Sequence, residues 1–163
     1  MGFMEILKGK DEDIKVLSDV ATKIIKEYYD PIVGPVQNEY MIDKFQSVRG
    51  INEQLEKGYR YFLVQERKEN IGFIAFYPRG DAMYLSKLYL KKEYRGKGYT
   101  RSMIGFVKEA AKKEGKSAIE LNVNKNNISI VIYEKLGFVR IRDEKNDIGN
   151  GFFMDDYVYR LEL

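Results

Sequence analysis

The chain has 163 residues, of which 44% are hydrophobic, 33% charged and 13% aromatic, enough for one domain (residues 1–163) with a real core. It contains no cysteine and no histidine, which removes disulfides, thiolate zinc sites, Cys–His or Ser–His nucleophilic pairs and imidazole bases. Lys and Arg number 28 against 25 Asp and Glu, no apolar run reaches the length of a membrane span, and Met1 to Lys10 lacks a signal-peptide core, so a soluble cytoplasmic protein is the expectation.

Phe3 to Leu7 reads as a short strand. From Asp13, the apolar residues Ile14, Leu17, Val20, Ala21, Ile24, Ile25 and Tyr28 recur at helical spacing behind the acids of Asp11 to Asp13. Asp30-Pro31 and Gly34-Pro35 read as breaks. Glu39 to Gln46 and Asn52 to Lys57 read as short helices joined through Arg49-Gly50. Tyr59 to Gln65 and Ile71 to Tyr77 are β-rich and flank a charged turn, which predicts a hairpin. Pro78 to Asp81 is a turn, Ala82 to Leu90 a strand, and Tyr99, Met103, Phe106, Val107 and Ala110 form the stripe of a helix ending near Gly115. Ala118 to Val123 is a strand, Asn126 to Leu136 a short helix closed by Gly137, and Phe138 to Ile141 and Phe153 to Leu161 are strands. The order predicts one mixed α/β domain, its sheet flanked by helices.

Charge is uneven along the chain. Lys91 to Lys116 holds nine cations against three acids, whereas Asp143 to Leu163 holds six acids against two bases. A local basic patch in a nearly neutral chain suits a compact polyanion such as a nucleotide better than a long nucleic acid, since Glu93, Glu109 and Glu114 interrupt it. It also suits a plain solvated helix face. Within the patch, Arg95-Gly96-Lys97-Gly98-Tyr99-Thr100 follows a strand and opens a helix. Glycines let backbone N–H groups turn onto a ligand, and a helix N-terminus offers free donors, which together suit a pyrophosphate. The loop is neither the Walker pattern nor the dinucleotide fingerprint. Two glycines before a helix also make an ordinary turn. Further on, Asn126-Asn127-Ile128-Ser129-Ile130-Val131-Ile132-Tyr133-Glu134-Lys135-Leu136-Gly137-Phe138 forms an Asn-rich bend and a helix, on which Tyr133 by itself reads as a core residue.

Together, the Arg-x-x-Gly-x-Gly-type loop and the later Asn-x-x-small-x-x-x-Tyr-Glu-Lys-Leu-Gly-Phe run resemble the Gcn5-related N-acetyltransferases (GNAT), and the element order is similar to that family from end to end. The resemblance implies a GNAT-like domain, a central, mostly antiparallel sheet of six or seven strands with about four helices. It implies acetyl-CoA as donor, no metal, and a primary amine as acceptor. By position, the backbone of Leu88, Tyr89 and Leu90 would run beside the pantetheine, and Arg95, Gly96, Lys97, Gly98, Tyr99 and Thr100 would wrap the pyrophosphate. Asn126, Ser129 and Lys135 would lie on the cofactor side, with Tyr133 there as the general acid. Thr100 stands where the family prefers Gly or Ala; its methyl would crowd a phosphate while its hydroxyl could bond one.

With no Cys or His, direct attack by the amine in a ternary complex is expected, after the ammonium has lost a proton. Many relatives place a glutamate two residues ahead of the pantetheine trio, where this chain has Ser86. Ser86 through a water, Glu39, Tyr40, Asp155 and Asp156 are the alternatives for the base. The acidic C-terminal segment and the many tyrosines suit a cationic acceptor, and Tyr40 to Ser47 with Gly149 to Asp156 resemble the PaiA-like polyamine-acetylating branch. A protein N-terminus or lysine as acceptor, and a non-catalytic CoA-binding regulator on the same fold, stay open, as does a homodimer.

Overall fold

A computed structural model describes all 163 residues. In chain order the elements are β1 (Gly2–Ile6), α1 (Asp11–Val33), α2 (Pro35–Phe45), α3 (Val48–Glu56), β2 (Arg60–Glu66), β3 (Glu69–Arg79), β4 (Ala82–Leu90), a 3-10 turn (Lys92–Tyr94), α4 (Tyr99–Lys113), β5 (Ala118–Asn124), α5 (Ile130–Lys135), β6 (Val139–Gly149) and β7 (Phe152–Glu162). The seven strands are ordered β1-β2-β3-β4-β5-β7-β6. β4 and β5 pair in parallel, while β1–β2, β2–β3, β5–β7 and β6–β7 are antiparallel. The fold is the predicted mostly antiparallel α/β sheet, with five α-helices rather than about four.

The chain divides into two compact units. The first holds residues 1–77 and 87–100. Its core brings Ile14, Leu17, Ala21, Ile24, Ile25 and Tyr29 of α1 together with Ile6, Ile51, Tyr61, Leu63, Phe73 and Ala75. Those α1 positions recur every three or four residues, so one stripe of the helix faces the strands. α1 runs through Asp30-Pro31, contrary to the predicted break. Pro31 lies in the last turn, where it removes one N–H and leaves the helix to end at Gly34. Gly34 adopts φ +86° and donates to Asp30 O, and Pro35 then occupies the first turn of α2. The α2–α3 junction falls at Gln46-Ser47 rather than Arg49-Gly50, because Ser47 Oγ caps α3 by accepting from Gly50 N at 3.0 Å. Gly50 is needed there: a Cβ would sit 2.3 Å from Lys44 O. Arg67 and Lys68, both at positive φ, make the two-residue turn between β2 and β3.

The second unit holds residues 78–86 and 101–163. β4 and β5 are in register from Ala82–Ala118 to Leu85–Leu121. α5 begins at Ile130, four residues later than predicted, because Asn126 N bonds Asn124 Oδ1 and Ser129 N bonds Asn127 Oδ1, which ties the segment into Asx turns. The largest correction concerns the acidic C-terminal segment. It forms an 11-residue by 11-residue hairpin, with β6 at the sheet edge and the turn at Asn150 and Gly151, both at positive φ. Asp143 and Asp155 pair with Lys125 at 3.2 and 3.1 Å, and Glu162 with Arg160 at 2.6 Å, so much of its negative charge is locally compensated.

Candidate active site

In the first unit, β4 ends in Leu88, Tyr89 and Leu90. Tyr89 stands among Tyr28, Tyr29 and Phe73, with ring centroids 5.7, 6.0 and 5.4 Å away, and its hydroxyl bonds that of Tyr29 at 3.0 Å. β3 approaches this strand so closely that a Cβ on Gly72 would lie 2.2 Å from Tyr89 O. After Leu90 the chain turns through Lys92–Tyr94 and enters the glycine loop.

Arg95 organises that loop. Its Nε donates to Leu90 O at 3.1 Å, and its guanidinium lies 4.7 Å over the Tyr28 ring. Nη2 is buried and has no partner. An ionised donor held without an acceptor in this loop fits an anion as the missing partner. Gly96 and Gly98 take φ +74° and +85°, and nothing lies within 4 Å of where their Cβ atoms would be. The loop backbone is therefore open to an incoming group ahead of the 15-residue helix α4. Lys97 is exposed and Thr100 lies in the first turn of α4. Tyr99 is turned elsewhere: its hydroxyl donates to Glu66 Oε2 at 3.3 Å, and burial raises its pKa. With Tyr94, whose hydroxyl donates to Glu69, it lines a recess of about 450 Å³ beside Glu66, Arg67 and Glu69.

In the second unit, Asn126 has an exposed side chain, Ser129 is the N-cap of α5, and Lys135 is exposed in its last turn. Tyr133 is buried at 7% exposure, and its ring lies 5.6 Å edge-on to Phe138. The helix closes with Phe138 N donating to Tyr133 O and Gly137 N to Glu134 O, both at 3.1 Å, with Gly137 at φ +98°. This pair of bonds, with its Tyr133–Phe138 contact, is a Schellman closure. It ends α5 with the Tyr133 ring packed against Phe138.

One group escaped the sequence reading. Lys87 is 8% exposed, and Nζ donates to Phe45 O at 3.0 Å, Gln46 Oε1 at 3.1 Å, Gln54 Oε1 at 3.0 Å and the Tyr61 hydroxyl. Burial pulls its pKa down to about 7. The signal was present, since Lys87 follows Met83 and Leu85 at two-residue spacing on the buried face of β4. Of the candidate bases, Ser86 is half-buried and Glu39 exposed, whereas Asp156 is 2% exposed on β7. No group of three or more Asp or Glu is arranged to hold a metal ion, and no helix is long and apolar enough to cross a membrane.

A sheet of this order, with a two-glycine loop opening the helix after β4, defines the N-acetyltransferase class of folds. The family model of the acetyltransferase (GNAT) domain matches residues 29–158, and the chain belongs to that family. The solved structure of the PaiA N-acetyltransferase from Thermoplasma acidophilum, in complex with coenzyme A, is similar over 100% of both chains, at 22% identity and a TM-score of 0.78. A GCN5-related N-acetyltransferase structure from Rhodopseudomonas palustris is similar over 99% of this chain and 95% of its own, at 16% identity and a TM-score of 0.81. An aminoglycoside 6'-acetyltransferase type Ii is similar over 99% and 97%, at 16% identity and a TM-score of 0.70. No curated protein matches the chain.

Proposed function

We propose that residues 1–163 form one cytoplasmic N-acetyltransferase domain that moves acetyl from acetyl-CoA to a small cationic primary amine, with a polyamine as the leading candidate. The observation that carries this reading is the buried, unpartnered Arg95 Nη2 in an open two-glycine loop ahead of α4. Membership of the acetyltransferase family supports the donor, and the PaiA structure with coenzyme A supports the donor and the PaiA-like branch.

Bound acetyl-CoA supplies an activated thioester. Arg95, Gly96, Lys97, Gly98, Tyr99 and Thr100 would hold its pyrophosphate through guanidinium, ammonium and backbone N–H donors, with Asn126, Ser129 and Lys135 on the same cofactor side. The backbone of Leu88, Tyr89 and Leu90 would run beside the pantetheine, and a backbone N–H there would face the developing oxyanion. Tyr133, buried against Phe138, would give its hydroxyl proton to the leaving thiolate. Thiol release from acetyl-CoA, screened over spermidine, a lysine peptide and an aminoglycoside and read by mass spectrometry, tests the reading. Acetylation of at least one amine is expected; no product with any of them would overturn it.

A further inference from the structure

Asp156 carries a carboxyl group that the fold uses only in part. Its Oδ2 accepts a bond from Asn122 Nδ2 at 3.4 Å, while Oδ1 is buried with no partner. Burying a carboxylate oxygen without a donor costs free energy, a cost the fold bears at Asp156. The neighbours form one polar cluster drawn from four strands. Asn122 Nδ2 on β5 also donates to Glu144 Oε2 on β6 at 3.0 Å, and Asn122 Oδ1 accepts from the Tyr84 hydroxyl on β4 at 2.8 Å. Asn122 thus spends its amide holding two carboxylates side by side. Glu144, whose side chain is 34% exposed, faces solvent, and Asp156 lies behind it.

The charges around the cluster leave it acidic. Arg142 approaches Glu144 only to 3.9 Å, the Arg79 guanidinium lies 3.8 Å over the Tyr84 ring, and Lys125 is held by Asp143 and Asp155. Burial pushes the Asp156 carboxyl up to about 6; the Asn122 bond opposes this, the Glu144 and Asp155 charges add to it, and Lys125 again opposes. The cluster also lies where the β4–β5 register stops, at Leu85–Leu121, one residue before Ser86 and Asn122. Ser86, which lacks the carboxylate expected there, and Tyr84 both precede the Leu88–Leu90 trio on the same strand.

We propose that Asp156 and Glu144, bridged by Asn122, seat the primary alkylammonium of the acceptor, and that Asp156 takes its proton. The proposal rests on the acetyltransferase reading above. One N–H bond of the ammonium breaks, an O–H bond forms on the Asp156 carboxylate, and the nitrogen keeps the electron pair. The proton leaves to water when the product departs. In water, transfer from an ammonium of pKa ~10.4 to a carboxyl group is uphill, but it turns a buried ion pair into two neutral groups, which desolvation favours.

Asp156→Asn is close to isosteric and keeps an oxygen for Asn122, so it tests the charge and the proton together. Acetyl transfer to spermidine and to a lysine peptide is followed against pH in the parent and the variant, with calorimetric titration of spermidine into the CoA-saturated proteins and a melting curve for each. The parent should show an acid limb in kcat/KM near pH 6. The variant should lose ~100-fold or more near neutral pH, lack that limb, and recover roughly tenfold per pH unit as the free amine accumulates. Its spermidine affinity should fall about tenfold. A parent that transfers acetyl to an amine, beside a variant within threefold of it with the same limb and the same spermidine affinity, overturns the seat and leaves the enzyme reading standing. A parent that acetylates no amine, with spermidine binding indifferent to the substitution, overturns both. Should Asp156→Asn not fold, Glu144→Gln on the exposed side of the cluster reads the seat through the same spermidine titration, and unchanged affinity overturns it.

Discussion

Replacing Lys87 with Met keeps most of the aliphatic stem in β4 and deletes the amine that Phe45 O, Gln46, Gln54 and Tyr61 receive. In the parent, burial lowers the Lys87 pKa from 10.5 to about 7. Between those two values the unfolded chain binds more protons than the folded one, so stability rises with pH across that window, and the cost of holding the ammonium is fully present below about pH 7. Worked through the linkage relation, the gain between pH 7 and pH 9 is about 2 kcal/mol, against under ~0.5 kcal/mol between pH 6 and pH 7. The other titrating groups cancel when parent and variant are subtracted. A second effect sets the offset: the Met variant leaves buried oxygens without a donor, which costs roughly 1–3 kcal/mol at any pH. Urea unfolding of both proteins at pH values of about 6, 7, 8 and 9 reads both terms. The parent should gain on the variant chiefly above pH 7. A difference that stays flat from pH 6 to 9 would refute the reasoning, because the acceptors around Nζ would then be holding the ammonium at its ordinary pKa despite burial.

Tyr133→Phe keeps the ring against Phe138 and the closure of α5, so melting and acetyl-CoA affinity should hold while kcat drops ~10–100-fold; a kcat within twofold of the parent, where chemistry limits the rate, returns Tyr133 to a packing role. Gly72→Ala puts a methyl 2.2 Å from Tyr89 O and should cost about 3 kcal/mol or more, a Tm lowered by roughly 6–12 °C in calorimetry, with weaker coenzyme binding per folded molecule. Arg95→Met removes the unpartnered guanidinium nitrogen, and calorimetric titration should find acetyl-CoA bound at least ~10-fold more weakly; equal affinity would take Arg95 out of the phosphate loop.

What the sequence made legible follows from how local each rule is. β4 matched residue for residue because Met83, Leu85 and Leu90 are apolar where they are buried, and the glycine loop stood out because φ near +80° is a demand on single residues. Pro31 misled because the local rule marks a break, whereas Ile24, Ile25 and Tyr29 on the core-facing stripe carry α1 one turn further. β6 went largely unread: Arg140, Arg142, Asp143, Glu144, Lys145 and Asp147 lack a strand pattern, and only pairing with β7 makes them one. The same non-local pairing buries Asp156 opposite Glu144, so Asp156 could be named among the candidate bases but not singled out. Lys87 is hidden likewise by the α2–α3 junction that supplies its acceptors.

β6 ends the sheet, so one flank of an 11-residue strand presents unsatisfied N–H and C=O groups on which another extended chain could lay itself down. Val139 and Ile141, at 64% and 43% exposure, would welcome such a visitor. The mixed run of cations and anions that follows them works against it, because a second copy would have to strip water from those side chains without matching each to an opposite charge. The residues that disguise β6 as a loop are thus gatekeepers of solubility. Exchanging Arg142 and Lys145 for Thr would make a better strand of the segment and, by the same stroke, a seed for fibrous aggregation at high concentration.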